Sequence, residues 1–231
     1  YKEPDLHLVF KNREKLNNFE DRLIKTSDIS GFLIDNKDIK NKESFNKGDW
    51  WVQDFSSFFP LHNLEIEYKN KKILDTCAAP GGKSFQLLSQ NFNVILNDKN
   101  KARIQTLKSN LDRLKFNNKI FNKDFTKFSE KEKYDIIIID APCSAIGTIR
   151  KNPEIFFKKR GPNFKKLICL QERMLEKASV LLNKDGYIIY MTCSFLEIET
   201  IEQINKFINK NKNFLINNFE LKKNNIKYSK L

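Results

Sequence analysis

The stretch KILDTCAAPGGK, from Lys72 to Lys83, decides the fold. It starts with a short apolar segment, Ile73–Asp75, and ends in a glycine-rich turn before a helical pattern begins at Ser84. Glycines let a backbone approach a ligand closely, and the free N–H groups at a helix N-terminus attract anions such as carboxylates or phosphates. A strand, a glycine-rich turn and a helix in this order are typical of the ligand-binding unit of an α/β fold.

Downstream of this stretch, apolar strands alternate with amphipathic helices. Four β-branched residues in a row, Ile136–Ile139, favour a central strand that is buried on both faces. The alternation predicts an α/β fold with a mainly parallel, doubly wound sheet whose ligands bind at the carboxyl ends of the strands. The predicted strands are Ile73–Asp75, Asn93–Asn97, Lys119–Phe121, Asp135–Asp140 and Tyr187–Thr192, and the predicted helices are Ser84–Gln90, Lys101–Leu114, Phe164–Leu182 and Glu199–Asn209.

Upstream, the pattern is different. Residues Leu6–Phe10 indicate a strand, Arg13–Ile24 a helix, and the polar stretch Asn36–Gly48 a linker or surface loop. We therefore predict a small N-terminal α+β appendage at residues 1–45 and the main domain at residues 46–231.

Two other interpretations apply to the glycine-rich turn. The sequence Gly82-Lys83-Ser84 resembles the end of a P-loop, but that motif needs glycine where Cys77 stands, and Pro80 removes one N–H from the cradle. A purely structural turn is the other alternative.

Acidic residues follow the next two predicted strands. Asp98 lies about 20 residues after the turn, the spacing at which a carboxylate binds ribose hydroxyls, although a helix cap would use the same residue. Asp124 follows the third strand, where it can accept from an adenine amine or serve as an ordinary turn aspartate.

Two of the four cysteines follow predicted strands. Cys143 lies in DAPCS after the fourth strand, and Cys193 lies in TCS after the fifth. Neighbouring parallel strands would bring both thiols to one edge of the sheet. Cys169 falls on the apolar face of a helix and is interpreted as an inert hydrophobic residue. The chain has no CxxC pair and only two histidines, so we expect no metal site, and we expect reduced thiols in a cytoplasmic protein.

The charge favours a polyanionic partner. Lys and Arg number 42 against 29 Asp and Glu, which gives a net charge of +13. Nucleic acid is the usual partner of so basic a surface, although a lysine-rich proteome would give the same composition. We find no membrane-spanning run and no signal-peptide pattern, expect a monomer, and interpret the chain, which starts at Tyr1, as a fragment.

Together these motifs resemble the Sun/Fmu-type RNA cytosine-C5 methyltransferases, and they look closest to the branch that modifies bacterial 16S rRNA. The resemblance runs from about Leu6 to Ile204 and is highly specific. It rests on VQDFSS (Val52–Ser57), DTCAAPGGK (Asp75–Lys83), ND with KNKARIQTLKSNLDRL (Asn97–Leu114), DAPCSAIGTIRKNPE (Asp140–Glu154) and MTCS (Met191–Ser194).

The resemblance implies a Rossmann-like class I methyltransferase fold with S-adenosylmethionine as cofactor and RNA as partner. It implies that Cys193 is the nucleophile, that Cys143 helps release the product, and that Asp140 contacts the base. The implied cofactor-binding residues are Cys77, Ala78, Ala79, Pro80, Gly81, Gly82, Lys83, Asp98, Asp124 and Asp140. The appendage looks like the small RNA-binding part of such enzymes.

The implied chemistry accounts for a cysteine nucleophile. Carbon 5 of cytosine is a poor nucleophile, and a thiolate that adds at carbon 6 makes carbon 5 enamine-like, able to attack a methyl sulfonium. A free thiol is only a few per cent ionised at pH 7, so we expect basic neighbours, Lys83, Arg150 and Lys151, to raise the thiolate fraction.

The chain departs from the family pattern in places. Ala145-Ile146-Gly147 stands where Gly-Thr-Gly is expected, and Glu199-Thr200-Ile201 where Glu-Asn-Glu is expected. The terminal Gly-Phe-Phe strand motif and the helical domain that often precedes the core are missing, so we expect a truncated C-terminal end. The alternatives are a tRNA methyltransferase, a DNA cytosine-C5 methyltransferase that uses Cys143, and a non-catalytic RNA-binding assembly factor. The cysteine at position 193 favours RNA over DNA.

Overall fold

The computed structural model describes residues 4–34, 38–64, 69–129, 131–157 and 161–217. These residues form two sheets that follow each other along the chain. The N-terminal elements are β1 His7–Phe10, α1 Arg13–Asn17, β2 Leu23–Lys25, β3 Ser30–Leu33, α2 Glu43–Lys47, β4 Trp50–Val52 and α3 Phe55–Asn63. The later elements are β5 Lys72–Asp75, α4 Gly82–Leu88, β6 Asn93–Asn97, α5 Lys101–Arg113, β7 Ile120–Phe121, β8 Tyr134–Asp140, α6 Phe164–Leu181, β9 Leu182–Met191 and α7 Ile201–Lys210.

The N-terminal sheet is antiparallel, with the strand order β2-β3-β1-β4. All four residues of β1 are buried, and β1 pairs with both β3 and β4. The predicted helix Arg13–Ile24 is wrong in its second half, because Leu23 and Ile24 pair with Leu33 and Phe32 of β3.

The polar stretch at positions 36–48 also contains more structure than predicted. Its residues 36 and 37 lie outside the described residues, and α2 occupies Glu43–Lys47. Gly48 ends α2 with φ of 76°, and a Cβ there would lie 2.0 Å from the carbonyl oxygen of Arg113. The sequence boundary at residue 45 therefore falls inside α2 and ahead of β4, the edge strand of the N-terminal sheet.

The second sheet is parallel throughout, with the order β7-β6-β5-β8-β9. Ile136–Ile139 of β8 are fully buried between β5 and β9, which confirms the predicted central strand. One buried cluster joins this sheet to α4 and α5, and a second joins its other face to α6 and α7. The doubly wound prediction is thus confirmed, and the main shift is that β9 starts at Leu182 rather than Tyr187.

A buried seam joins the two sheets. Trp51 packs edge-on against Phe85 of α4, with ring centroids 5.8 Å apart. The Gln53 side chain donates to Oε1 of Gln86 at 2.6 Å and accepts from Trp51 Nε1 at 2.9 Å. Because these polar groups satisfy each other away from water, the N-terminal elements are held in fixed register against α4.

Candidate active site

The carboxyl ends of the parallel strands bring most of the predicted site residues to one edge. β5 ends at Asp75, β6 at Asn97, β8 at Asp140 and β9 at Met191, two residues before Cys193. β5, β6, β8 and β9 are neighbours in the sheet, so all four ends lie at one edge, the position of the ligand crevice in open α/β sheets.

Asp75 anchors the turn that follows β5. Its carboxylate accepts from Ser84 Oγ at 2.6 Å and from the Cys77 backbone N–H at 3.2 Å, so both ends of the turn are tied to one side chain. Burial raises the pKa of Asp75 to about 6, and the charge of Asp140 adds to this. Burial also raises the pKa of Cys77 to about 12, so this thiol stays protonated at neutral pH. Sequence reasoning gave Asp75 no role, although its position before the turn was a usable signal.

The turn itself requires glycine at Gly81. Its φ is 122°, and a Cβ there would lie 1.9 Å from the Phe85 ring. The Phe85 ring thus packs directly under the turn, which fixes the path of the backbone that faces the crevice.

Asp98 is buried beneath this turn. One carboxylate oxygen accepts from the Ala79 N–H at 3.2 Å, the other accepts from the Asn100 N–H at 2.8 Å, and Arg103 lies 3.6 Å away. Asp98 therefore ties the carboxyl end of β6 to the turn. A carboxylate has about four acceptor positions, so further donors can still bind.

Asp124 follows β7, further along the same sheet. It caps the short 3₁₀ turn Phe125–Lys127 by accepting from Thr126 and forms an ion pair with Lys99 at 2.8 Å. The hydrogen bond from Lys99 lowers the pKa of Asp124 to about 2, so Asp124 is ionised across the neutral range.

Lys83 connects three parts of the site. Its Nζ donates to Asp140 Oδ2 at 2.8 Å and to Ser57 Oγ of α3, also at 2.8 Å. Asp140 is thus held in place by a cation that an N-terminal element helps to orient. The motif VQDFSS includes Ser57, but no sequence argument assigned this side chain a contact.

The two cysteines meet as predicted. Their Sγ atoms lie 3.1 Å apart, and both are free thiols. Backbone hydrogen bonds join the two loops on either side of the pair, from Ala141 N to Met191 O at 2.8 Å and from Gly147 N to Cys193 O at 2.9 Å. A Cβ at Gly147 would lie 2.8 Å from the Cys193 carbonyl oxygen, so this close approach needs glycine.

The hydrogen bond between the two sulfurs shifts their pKa values in opposite directions. The hydrogen bond from Cys193 lowers the pKa of Cys143 to about 7, and the same bond raises the pKa of Cys193. The lysines predicted to favour a thiolate are engaged with carboxylates, Lys83 with Asp140 and Lys151 with Asp54. The hydrogen bond within the pair therefore lowers the pKa at which the first thiol ionises, because a thiolate that accepts a hydrogen bond is stabilised.

Cys169 departs from expectation in its surroundings. It lies on α6, as predicted, but it is exposed rather than packed in an apolar face.

Among the described residues, no group of three His, Cys, Asp or Glu side chains is arranged to hold a metal ion. Among the same residues, none of the helices has the length and apolar character needed to cross a membrane.

Comparison with known proteins places this site in a family. A family model described as 16S rRNA methyltransferase RsmB/F matches residues 63–230. The chain belongs to the RsmB/F family. The matched range includes both cysteines, the glycine-rich turn and Asp140, whereas Ser57 and the N-terminal sheet lie ahead of it.

Curated relatives of this RsmB/F chain carry consistent names. Ribosomal RNA small subunit methyltransferase B from Photorhabdus laumondii is 36% identical over 169 residues, covering 71% of this chain and 39% of the relative. The protein of the same name from Shewanella oneidensis is 34% identical over 187 residues, covering 79% and 44%. The matched part of the chain thus spans less than half the length of these relatives.

A solved structure agrees with this assignment. NSun6 from Pyrococcus horikoshii, solved with SFG, has a TM-score of 0.66 at 28% identity, covering 74% of this RsmB/F chain and 45% of that one. The protein PH0851 has a TM-score of 0.81 at 25% identity, covering 91% and 51%. The second match includes the N-terminal elements, so the arrangement of both sheets recurs in a solved structure.

Proposed function

We propose that this chain carries the catalytic part of an S-adenosylmethionine-dependent RNA methyltransferase, which methylates carbon 5 of a cytosine in RNA, with 16S rRNA as substrate. The observation that carries the proposal is the pair of thiols 3.1 Å apart at the crevice edge, beside Asp140, in a chain of the RsmB/F family. We further propose a cytoplasmic protein that acts as a monomer, with the N-terminal part, bounded in sequence at residue 45, contributing to RNA binding.

The residues at the sheet edge fit the proposed cofactor by their chemistry. The adenosyl and amino groups of S-adenosylmethionine present hydrogen-bond donors, namely ribose hydroxyls and amines. The crevice presents acceptors, the carboxylates of Asp98, Asp124 and Asp140. The turn Cys77–Lys83 brings backbone close to the same edge because Gly81 carries no Cβ. When bound there, the cofactor would supply an electrophilic methyl group.

The two thiols then have different roles in the reaction on the base. Cys193 passes its proton to the Cys143 thiolate across the 3.1 Å hydrogen bond, and its Sγ forms a bond to carbon 6 of cytosine. The electron pair of the C5–C6 double bond shifts through carbon 5 and carbon 4 to N3, which takes up a proton from water and returns it to water when the product is released. Asp140, held by Lys83, accepts hydrogen bonds from the N3–H and the amino group and stabilises the positive charge that this edge carries once carbon 5 has taken the methyl group.

Release reverses the addition. Once carbon 5 carries the methyl group, its remaining proton must leave and the bond between carbon 6 and sulfur must break. Cys143 is partly exposed and exchanges its proton with water, so its thiolate can take the carbon 5 proton while the electron pair expels Cys193. Cys193 attacks and Cys143 releases in this scheme.

The test is a denaturing gel of protein with labelled 16S rRNA fragments and S-adenosylmethionine. We expect Cys143→Ala to accumulate a covalent protein–RNA complex and Cys193→Ala to form none, with Cys169→Ala as the matched control that behaves as the parent chain. A complex trapped by Cys193→Ala and not by Cys143→Ala would reverse the roles and favour the DNA-type mechanism. Methylation of tRNA fragments in preference to 16S rRNA would overturn the substrate assignment.

A further inference from the structure

Glu199 is a fully buried carboxylate directly behind the two cysteine loops. It ends the short 3₁₀ turn Glu197–Glu199 and has 0% exposure. Its side chain accepts three hydrogen bonds, from Ser144 N at 2.9 Å, Ser144 Oγ at 2.5 Å and Gln171 Nε2 at 3.1 Å. A buried carboxylate is retained at such a position only when donors surround it.

The partners of Glu199 are the residues that follow the two cysteines. Ser144 comes directly after Cys143, and Ser194 directly after Cys193. Ser144 Oγ also lies 3.3 Å from Ser194 Oγ, so Ser194 is connected to Glu199 through the Ser144 hydroxyl. A single carboxylate thus holds both loops one residue away from the reacting sulfurs.

Helix α6 fixes the third side of this arrangement. The Gln171 amide donates both to Glu199 and to the carbonyl oxygen of Pro142, the residue before Cys143. Cys143 is therefore bracketed by two held neighbours, Pro142 and Ser144. On the other side, Tyr190 of β9 donates to the Glu199 carbonyl oxygen at 2.9 Å, so the backbone of Glu199 is held as well.

The hydrogen-bond pattern favours a carboxylate over a neutral amide. The Ser144 N–H and the Gln171 amide can only donate to Oε1, so a glutamine at 199 must turn its oxygen toward them. Its NH₂ group then faces Ser144 Oγ, which has to reverse from donor to acceptor. The neutral amide also makes weaker hydrogen bonds than the charged group.

We propose that Glu199 is a positioning residue that keeps the Cys143 and Cys193 sulfurs within hydrogen-bond distance of each other. It touches neither sulfur in this role, and it acts through Ser144, Ser194 and Gln171. The inference rests on the proposed function for its consequence in catalysis, the release of methylated RNA, but the sulfur geometry can be measured without RNA.

Phenylarsine oxide measures that geometry. The arsenic forms two As–S bonds to a pair of close thiols, and its oxygen leaves as water with the two thiol protons. All variants carry Cys169→Ser, so that the exposed thiol on α6 does not contribute. Glu199→Gln is expected to weaken arsenical binding by about tenfold, the equivalent of one charge-assisted hydrogen bond. Glu197→Gln, in the same turn but exposed, is the matched control and should bind as the parent does.

The same variants separate positioning from general destabilisation. Circular dichroism must show a folded Glu199→Gln protein, and covalent RNA adducts should persist longer in it than in the parent, with the KM for RNA unchanged. If Glu199→Gln does not fold, Ser144→Ala removes one donor from the opposite side and should weaken arsenical binding in the same direction. The inference is overturned if folded Glu199→Gln binds the arsenical as tightly as the parent does. If Glu199→Gln does not fold, parent-like binding by Ser144→Ala overturns it instead. A parent chain that binds arsenical but forms no RNA adduct overturns the proposed function instead.

Discussion

Ala145 occupies a backbone conformation that favours glycine, and this gives a prediction about stability. Its φ of 59° and ψ of 18° lie in the left-handed region. The family pattern places glycine at this point of the DAPCS loop, and this chain has alanine instead. We predict that Ala145→Gly stabilises the protein.

The magnitude follows from two opposing effects. The left-handed conformation costs an L-residue about 1–2 kcal/mol relative to the right-handed one, because Cβ crowds the following carbonyl oxygen. Glycine avoids this crowding but gains about 0.4–1 kcal/mol of conformational freedom in the unfolded chain. The net stabilisation is about 0.8 kcal/mol from the midpoints of these two ranges, or roughly 2–3 °C in Tm for a domain of this size.

Thermal unfolding followed by circular dichroism measures the effect. The matched control is the pair Lys108→Ala and Lys108→Gly on the exposed face of α5, where the change from alanine to glycine should lower stability by about 1 kcal/mol. A Tm for Ala145→Gly at or below that of the parent, with the control behaving as expected, would refute the reasoning about backbone strain.

Three further predictions concern the site. The Cys193 hydrogen bond lowers the pKa of Cys143 to about 7, so the rate at which iodoacetamide alkylates Cys143 should rise with pH through a midpoint near 7, as measured by mass spectrometry. Cys193→Ala should move that midpoint to higher pH, and an unchanged midpoint would contradict the assigned cause. Asp98→Ala should weaken S-adenosylmethionine binding about ten- to hundredfold, as measured by calorimetry, because a charge-assisted hydrogen bond contributes about 1.5–3 kcal/mol. An unchanged affinity would mean that Asp98 only holds the turn in place and does not bind the cofactor. RNA binding should weaken as salt rises, and the slope of log affinity against log salt concentration should be about −0.9 for each phosphate contact on duplex RNA and about −0.7 on single strands. An affinity that does not change with salt would argue against electrostatic binding of RNA.

The parallel sheet was predictable because its signals are local. The run Ile136–Ile139 has no polar face, so burial on both sides is its only stable placement. Asp75, Asp140 and Cys193 follow apolar strands, and parallel pairing alone brings strand ends together. The 3.1 Å contact between the thiols is the result of that topology and of the hydrogen bonds that join their loops.

The N-terminal part was less predictable because its decisive contacts are distant in sequence. Leu23 and Ile24 fit a helical pattern, but backbone pairing with β3 overrides that preference. Helix α2 starts at Glu43, and its N-cap residue, Lys42, makes no side-chain cap hydrogen bond, so the usual N-terminal signal is missing from the sequence. Its packing depends on Arg113, which donates to the carbonyl oxygens of Phe45 and Trp50 from far along the chain.

The roles of charged residues were the hardest to predict. Lysine near a cysteine motif suggested a thiolate partner, whereas Lys83 binds carboxylate and hydroxyl groups. Glu199 was noted only as part of a flanking motif, although an acidic residue close behind TCS, ahead of an amphipathic helix, was a usable signal. Contacts between two loops depend on how their side chains are oriented in space, and the spacing of residues along the sequence does not give that orientation.

The contact from Ser57 to Lys83 has a consequence for protein engineering. A hydroxyl outside the family-matched range helps to orient the cation that holds Asp140, and the seam of Trp51, Gln53 and Phe85 locks it in register. A chimera that joins a foreign N-terminal segment to this core at residue 64 would therefore lose the hydroxyl that helps to hold Lys83 against Asp140. Grafts that keep positions 50–63 from this chain and exchange only the preceding strands would leave the contacts from Ser57 to Lys83 and from Lys83 to Asp140 in place.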